Sequence, residues 1–169
     1  MINLVKDENA DRETLTEIKN NSMDSITVRI INNSPYPAPE YATEGSAGCD
    51  LRANITENIT VNPLQRVLGP TGIHIELPSS CEAQIRSRSG LTVKHGIVVA
   101  NGIGTIDTDY RGEIKVALVN LSDEAYEIRP GEKIAQMVFS YYKQACFETC
   151  TSLDETKRAD GGFGSTGNM

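Results

Sequence analysis

Gly104-Thr-Ile-Asp-Thr-Asp-Tyr-Arg-Gly-Glu-Ile-Lys-Val-Ala-Leu-Val-Asn120 joins a charged, aromatic turn to the clearest strand pattern in the chain. In its second half Ile114, Val116 and Leu118 alternate with Lys115, Ala117 and Val119, a period of two that predicts a largely buried β-strand. Its first half sets Asp107 and Asp109 two residues apart, followed by Tyr110 and Gly112, and reads as a hairpin turn above rigid strands. On its own such a turn serves equally well to bond local backbone amides. The rest of the chain has to decide between the two uses.

Composition suits one β-rich domain. The chain has 169 residues, 38% hydrophobic and 5% aromatic, with 14 Gly and 7 Pro punctuating many short apolar runs. A net charge of −7 argues against binding nucleic acid or an anionic membrane through the whole surface. No apolar run has the length of a membrane span, and residues 1–22 are too acidic for a signal peptide, so a cytoplasmic protein is expected. The four cysteines, at 49, 81, 146 and 150, fit no zinc spacing and read as packing residues.

Further strands are predicted at Ser25 to Asn32, around Asp50, at Ile59 to Val61, Gly72 to Leu77, Cys81 to Ser87, Ile97 to Ala100, Tyr126 to Ile128 and Ile134 to Phe139. Small residues at 45 to 48 allow close backbone approach. Gln136 falls in an apolar row, where its amide requires a hydrogen-bond partner such as a structural network. From Ala83 to Ile106 there is no acidic residue, while Arg86, Arg88 and Lys94 form a positive island in an acidic chain. Arg86-Ser-Arg-Ser-Gly-Leu91 leaves the sheet with guanidinium groups, hydroxyls and a glycine suited to phosphate oxygens.

The two histidines, His74 and His95, form no ligand-spaced pair, and there is no Gly-x-Ser-x-Gly elbow. Carboxylates remain: Asp107 can accept a proton from water, and oxygen ligands suit Mg²⁺ held mainly by substrate phosphates. The residues by themselves thus point to a β-rich, Mg²⁺-dependent phosphate hydrolase.

Five motifs in order sharpen this. Ala47-Gly-Cys-Asp-Leu-Arg-Ala53, Arg88-Ser-Gly-Leu91, Gly104-Thr-Ile-Asp-Thr-Asp-Tyr-Arg-Gly112, Gly131-Glu-Lys-Ile-Ala-Gln-Met137 and Gly161-Gly-Phe-Gly-Ser-Thr-Gly167 together resemble the trimeric dUTPase family. The resemblance spans Ile26 to Gly167. It implies an all-β fold, a distorted jelly-roll barrel over residues 23–156 that forms a homotrimer with shared active sites. Residues 1–22 are then a polar extension, helical or disordered, and residues 157–169 a flexible glycine-rich arm that closes over the site.

The implied reaction is hydrolysis of dUTP to dUMP and pyrophosphate, which limits uracil in DNA and supplies dUMP for dTMP synthesis. Carried over by motif, Asp107 is the base that activates water, and Tyr110 packs on the deoxyribose and excludes a 2′-hydroxyl. Asn101, Thr105, Ile106 and Lys115 hold uracil. Arg88, Ser89 and Gly90 bind phosphates, Gln136 supports the phosphate and water network, and Asp50 reaches Mg²⁺ through water. Arg158 grips the γ-phosphate, Phe163 covers the base, and Gly164, Ser165 and Thr166 complete the lid. Lys133 stands where many relatives have Arg, and Ala159-Asp160 replaces a more glycine-rich start of the last motif. A deaminase of dCTP with the same fold is the nearest alternative, although its catalytic Glu falls at Ala117; a silent nucleotide-binding or regulatory trimer is another.

Overall fold

The computed structural model describes residues 25–162, and the expectations for residues 1–22 and for Phe163, Gly164, Ser165 and Thr166 lie outside them. Among the described residues the fold is all-β with one short helix. In order it runs β1 (Arg29–Asn32), β2 (Cys49–Arg52), β3 (Ile59–Val61), β4 (Arg66–Pro70), β5 (Ile73–Glu76), β6 (Cys81–Arg86), α1 (Ser89–His95), β7 (Ile97–Val99), β8 (Gly104–Ile106), β9 (Lys115–Asn120), β10 (Tyr126–Ile128) and β11 (Lys133–Tyr141). No helix among the described residues is long and apolar enough to cross a membrane.

The strands form antiparallel sheets in the orders β2-β11-β6-β8 and β4-β9-β7, with two smaller pairs, β1-β5 and β10-β3. The period-two patterns of β2, β5, β6 and β9 put one face of each strand inside. Leu51, Ala83, Ile85, Ile114, Val116, Leu118, Ile134 and Met137 meet there in one core. Asn120, at the end of β9, is fully buried, and its amide is satisfied on both sides: it donates to the carbonyls of Val61 and Glu124 and accepts from Ser122. That closes the turn after β9 without an orphaned polar group.

Four expectations need correction. Asp107 does not stand on a hydrogen-bonded hairpin: β8 pairs with β6, whereas β9 pairs with β4 and β7. The chain crosses between sheets here because the connection is long enough for Ile114 to pair with Ile73 (N to O 2.8 Å) before β9 begins. β4 went unread because it ends in Gly69-Pro70; it is an edge strand, where a missing N–H is tolerated. α1 follows Arg88 where a loop was expected. Its single buried side chain, Leu91, gives no helical period to read.

The fourth correction concerns cysteine. Cys49 and Cys81 are buried packing residues, but Cys146 and Cys150 are exposed on the segment beyond β11, which has no regular element to cover them. In β1 the alternation also hides little, since Ile30 and Ile31 stay 44% and 61% exposed on a two-stranded pair. Close approach at 45 to 48 is real at Gly48, whose Cβ would come within 3.3 Å of Val138 Cγ2 on β11.

Candidate active site

Two groups of polar side chains occupy different parts of the surface. The first is built on the sheet β2-β11-β6. Asp50, Gln136 and Arg86 lie directly opposite one another across these strands, so their side chains share a face. A bulge between Lys133 and Ala135 turns Ile134 and Ala135 both inward and leaves Gln136 half-exposed on the outer face. The apolar row expected around Gln136 is therefore broken at Ile134, while Gln136 and Val138 stay on one face beside Gly48, with Gln136 Oε1 3.5 Å from the position of a Cβ there.

Asp50 is the anchor of this group. Its side chain is only 12% exposed; Oδ1 accepts from Arg88 Nε at 2.9 Å and Oδ2 from Lys133 Nζ at 2.7 Å. Arg88 also donates through NH1 to the Lys133 carbonyl at 3.0 Å. Burial pushes the carboxyl pKa up, but the Lys133 hydrogen bond and the charges of Arg88 and Lys133 outweigh it and hold Asp50 below its usual range. Arg88 precedes α1 in extended conformation (φ −87°, ψ 125°), which aims its side chain back at β2, while Ser89 and Gly90 open the helix and stay exposed. Nothing lies within 4 Å of a Cβ built on Gly90, so this chain's own packing does not require a glycine there.

The depressed Asp50 pKa has a pH signature. Its stabilisation is present above the unfolded carboxylate value of ~3.9 and is lost as pH falls through the lower folded value. Comparing urea midpoints of the parent and Asp50→Asn should give a constant gap from pH 7 to about 4 that narrows as the solution is acidified further. A gap that does not change with pH would remove the ionised carboxylate from the account.

The second group surrounds a recess of about 320 Å³ lined by Leu68, Thr105, Ile106, Asp107, Tyr110, Glu113 and Lys115. It lies where β8 and β9 part. Among the described residues β8 is the last strand of its sheet, with one edge of its backbone free of strand partners. Such an edge offers N–H and C=O groups in alternation. Asp107 and Lys115 are exposed, and Tyr110 is 43% exposed.

Tyr110 is held at both ends: its amide donates to Asp107 O at 3.1 Å and its hydroxyl to Glu113 O at 2.9 Å. The turn is fastened from outside as well. Arg111 NH1 donates to Thr108 O (2.7 Å) and Tyr110 O (3.0 Å), while the Thr108 hydroxyl donates to Cys81 O (2.9 Å) and meets the Tyr142 hydroxyl at 3.0 Å. Lys115 stands 3.7 Å from Glu113, a loose pair that leaves its ammonium available.

The lining contains none of Asp50, Arg88, Ser89, Gly90 or Gln136. Asn101 is not in the lining either; its Nδ2 lies 3.6 Å from the position of a Cβ on Gly104 at the start of β8. Arg158 is exposed beyond the last strand and, among the described residues, bonds its own turn, Nε to Gly161 O at 2.8 Å. Ala159 beside it has φ 44°, in the left-handed region that favours glycine, so Ala stands here where a glycine would be less strained. Leu68, Glu113 and Lys133 are the neighbours that sequence reading did not assign to the site. Lys133 was legible as a cation in a motif and Glu113 as a residue of the turn stretch, but Leu68 reaches the turn only through β4 packing, and Glu113 meets Thr71 and Gly72 only in the folded chain.

The dUTPase family model matches residues 34–167, which is most of the chain. The chain belongs to the dUTPase family. It is 55% identical over 142 residues to the deoxyuridine 5'-triphosphate nucleotidohydrolase of Finegoldia magna, covering 84% of this chain and 99% of that protein. With the enzyme of the same name from Cytophaga hutchinsonii it shares 56% over 143 residues, 85% and 93% of the two chains. Among solved structures, a mutant dUTPase of Staphylococcus bacteriophage 80alpha with dUpNHpp superposes with a TM-score of 0.76 at 22% identity, covering 85% of this chain and 99% of that one. The dUTPase fold is therefore shared well beyond close sequence likeness. The protein is a hydrolase of nucleotide metabolism, a dUTP diphosphatase.

Proposed function

We propose that this dUTPase-family enzyme cleaves dUTP between the α- and β-phosphates, giving dUMP and pyrophosphate, through water activated by Asp107. The observation that carries the reading is the recess between β8 and β9. It combines a free strand edge, a carboxylate and a tethered aromatic ring in one lining. Uracil presents acceptor, donor and acceptor along its imide edge, the complement of backbone groups along Gly104–Ile106. A base without the thymine methyl is the one this recess would take, with Lys115 in its lining and Asn101 near the start of β8. Tyr110, pinned through its hydroxyl, puts its ring where a deoxyribose stacks and a 2′-hydroxyl has no room.

Phosphate binding falls to the other group. Arg88, Ser89 and Gly90 supply a guanidinium, a hydroxyl and an open backbone, and Gln136 lies in register with Asp50 to order the phosphates and water. Since the recess lining includes none of these residues, a complete site is best supplied by more than one chain, as in a homotrimer with shared sites. Within that assembly the jelly-roll domain of residues 23–156 carries both groups. The arm of 157–169 brings Arg158 to the γ-phosphate and Phe163 over the base, with Gly164, Ser165 and Thr166 closing the lid. Such an enzyme keeps uracil out of DNA and feeds dTMP synthesis from a cytoplasmic pool.

The described residues contain no cluster of three metal-ligating side chains, so a cage made by protein alone is not the fit. Asp50 suits a more distant role, because each oxygen has one cationic donor and a carboxylate has lone pairs for additional, water-mediated contacts. A bound Mg²⁺ would neutralise triphosphate charge and orient it for in-line attack.

The test is release of pyrophosphate from dUTP beside dTTP, dCTP and UTP, with and without Mg²⁺. Release from dUTP alone, dependent on the metal, is expected. Ammonia from dCTP would assign the chain to deamination, and bound but unreacted nucleotide would make it a binding protein.

A further inference from the structure

We propose that Glu113 is the positioning residue of the nucleoside recess. Its carboxylate locks the site turn to the buried turn between β4 and β5 and thereby sets Tyr110, with Lys115 loosely paired beside it. The inference rests on the dUTP reading above. Glu113 Oε1 accepts two backbone amides, Thr71 N at 3.1 Å and Gly72 N at 2.8 Å. Oε2 is 3.7 Å from Lys115 Nζ, and the carbonyl of the same residue accepts the Tyr110 hydroxyl at 2.9 Å. One residue therefore joins the sugar-facing ring, the rim ammonium and a second loop.

The anchor itself is rigid. Thr71 is 2% exposed, donates its hydroxyl to Ile114 O at 2.6 Å and accepts from Ile73 N at 3.2 Å. Gly72 has φ 71°, and a Cβ there would lie 2.8 Å from Asn54 Nδ2 and 2.9 Å from Ser34 N, so no side chain can loosen this turn without a clash. On the recess side a Cβ on Gly112 would lie 2.5 Å from Tyr110 Cζ, which means that the ring rests directly on the Gly112 backbone. Tyr110 is thus confined between Gly112 and the Glu113 carbonyl, and the carbonyl is aimed by the carboxylate fixed to Thr71 and Gly72. Ionised carboxylate to backbone N–H bonds are the stronger, charge-assisted kind, so the lock is stiffer than an amide side chain would make it.

The carboxylate touches no reacting atom in this account. Its effect is transmitted through Tyr110, and so it should weigh on substrate recognition more than on the chemical step.

Three readouts test this on the full chain. Glu113→Ala should raise KM for dUTP roughly tenfold, with a smaller change in kcat, and should narrow the preference for dUTP over UTP by a similar factor as Tyr110 gains freedom. Glu113→Gln, which restores a neutral acceptor for the two amides, should recover part of both. Hydrogen exchange at the amides of Thr71, Gly72 and Tyr110 should quicken in Glu113→Ala and only slightly in Glu113→Gln. Unchanged dUTP/UTP selectivity in a folded Glu113→Ala protein, or unchanged exchange at those amides, would overturn the proposal. If the parent protein itself fails to hydrolyse dUTP, the functional reading falls instead, and the exchange measurement still decides whether Glu113 holds the turn.

Discussion

Replacing Asp107 by Asn should lower the turnover of dUTP by roughly 10²- to 10⁴-fold, the range expected when a general base is removed. Asn has nearly the shape of Asp and keeps one acceptor oxygen, but it cannot take a proton from water at neutral pH. The substitution should not disturb the fold, because Asp107 is exposed and its structural contact is a backbone one, its carbonyl accepting Tyr110 N at 3.1 Å. A slowly hydrolysed dUTP analogue should bind the variant about as well as the parent, and the sedimentation behaviour should not change. Single-turnover hydrolysis beside analogue binding separates the outcomes: lost chemistry with retained binding supports the base, and hydrolysis at the parental rate removes Asp107 from that role.

Deletion of residues 157–169 should leave folding intact while reducing kcat/KM on the order of 10²-fold or more, the scale of effect seen when reacting groups are misplaced or a lid is lost. The stability half of the expectation comes from the described part of the arm. Among the described residues, Lys157 to Asp160 are exposed, Arg158 Nε bonds Gly161 O, Ala159 N bonds Thr156, and Gly161 and Gly162 are partly buried, so no member of the buried core is lost with them. The activity half comes from losing Arg158 and Phe163 together. A melting temperature within a degree or so of the parent, with activity near zero, fits the reading; parental kinetics would make the segment dispensable. Adding free arm peptide gives a further control, since weak rescue requires a tail that acts by binding over the site.

Much of the fold was legible because a strand buried on one face writes its period into the sequence. The runs in β2, β5, β6 and β9 follow it, and their inward residues meet in the core. β4 and α1 escaped for opposite reasons. An edge strand can end on Gly69-Pro70 without losing a needed donor, and a seven-residue helix with one buried side chain has no period to detect.

The site divides along the same line. The motif chemistry was local: Asp107 three residues before Tyr110, Arg88 before Ser89 and Gly90, Asp50 on a short strand. Sequence alone determined which chemical groups the protein owns and, through five ordered motifs, the family they belong to. Only the tertiary structure decided who meets whom. It parted β8 from β9 to open a recess, set Lys133 and Arg88 on the two oxygens of Asp50, and brought Thr71 and Gly72 onto Glu113. Those contacts depend on strand order and on the bulge in β11, which follow from how whole faces pack. No short window of residues encodes them.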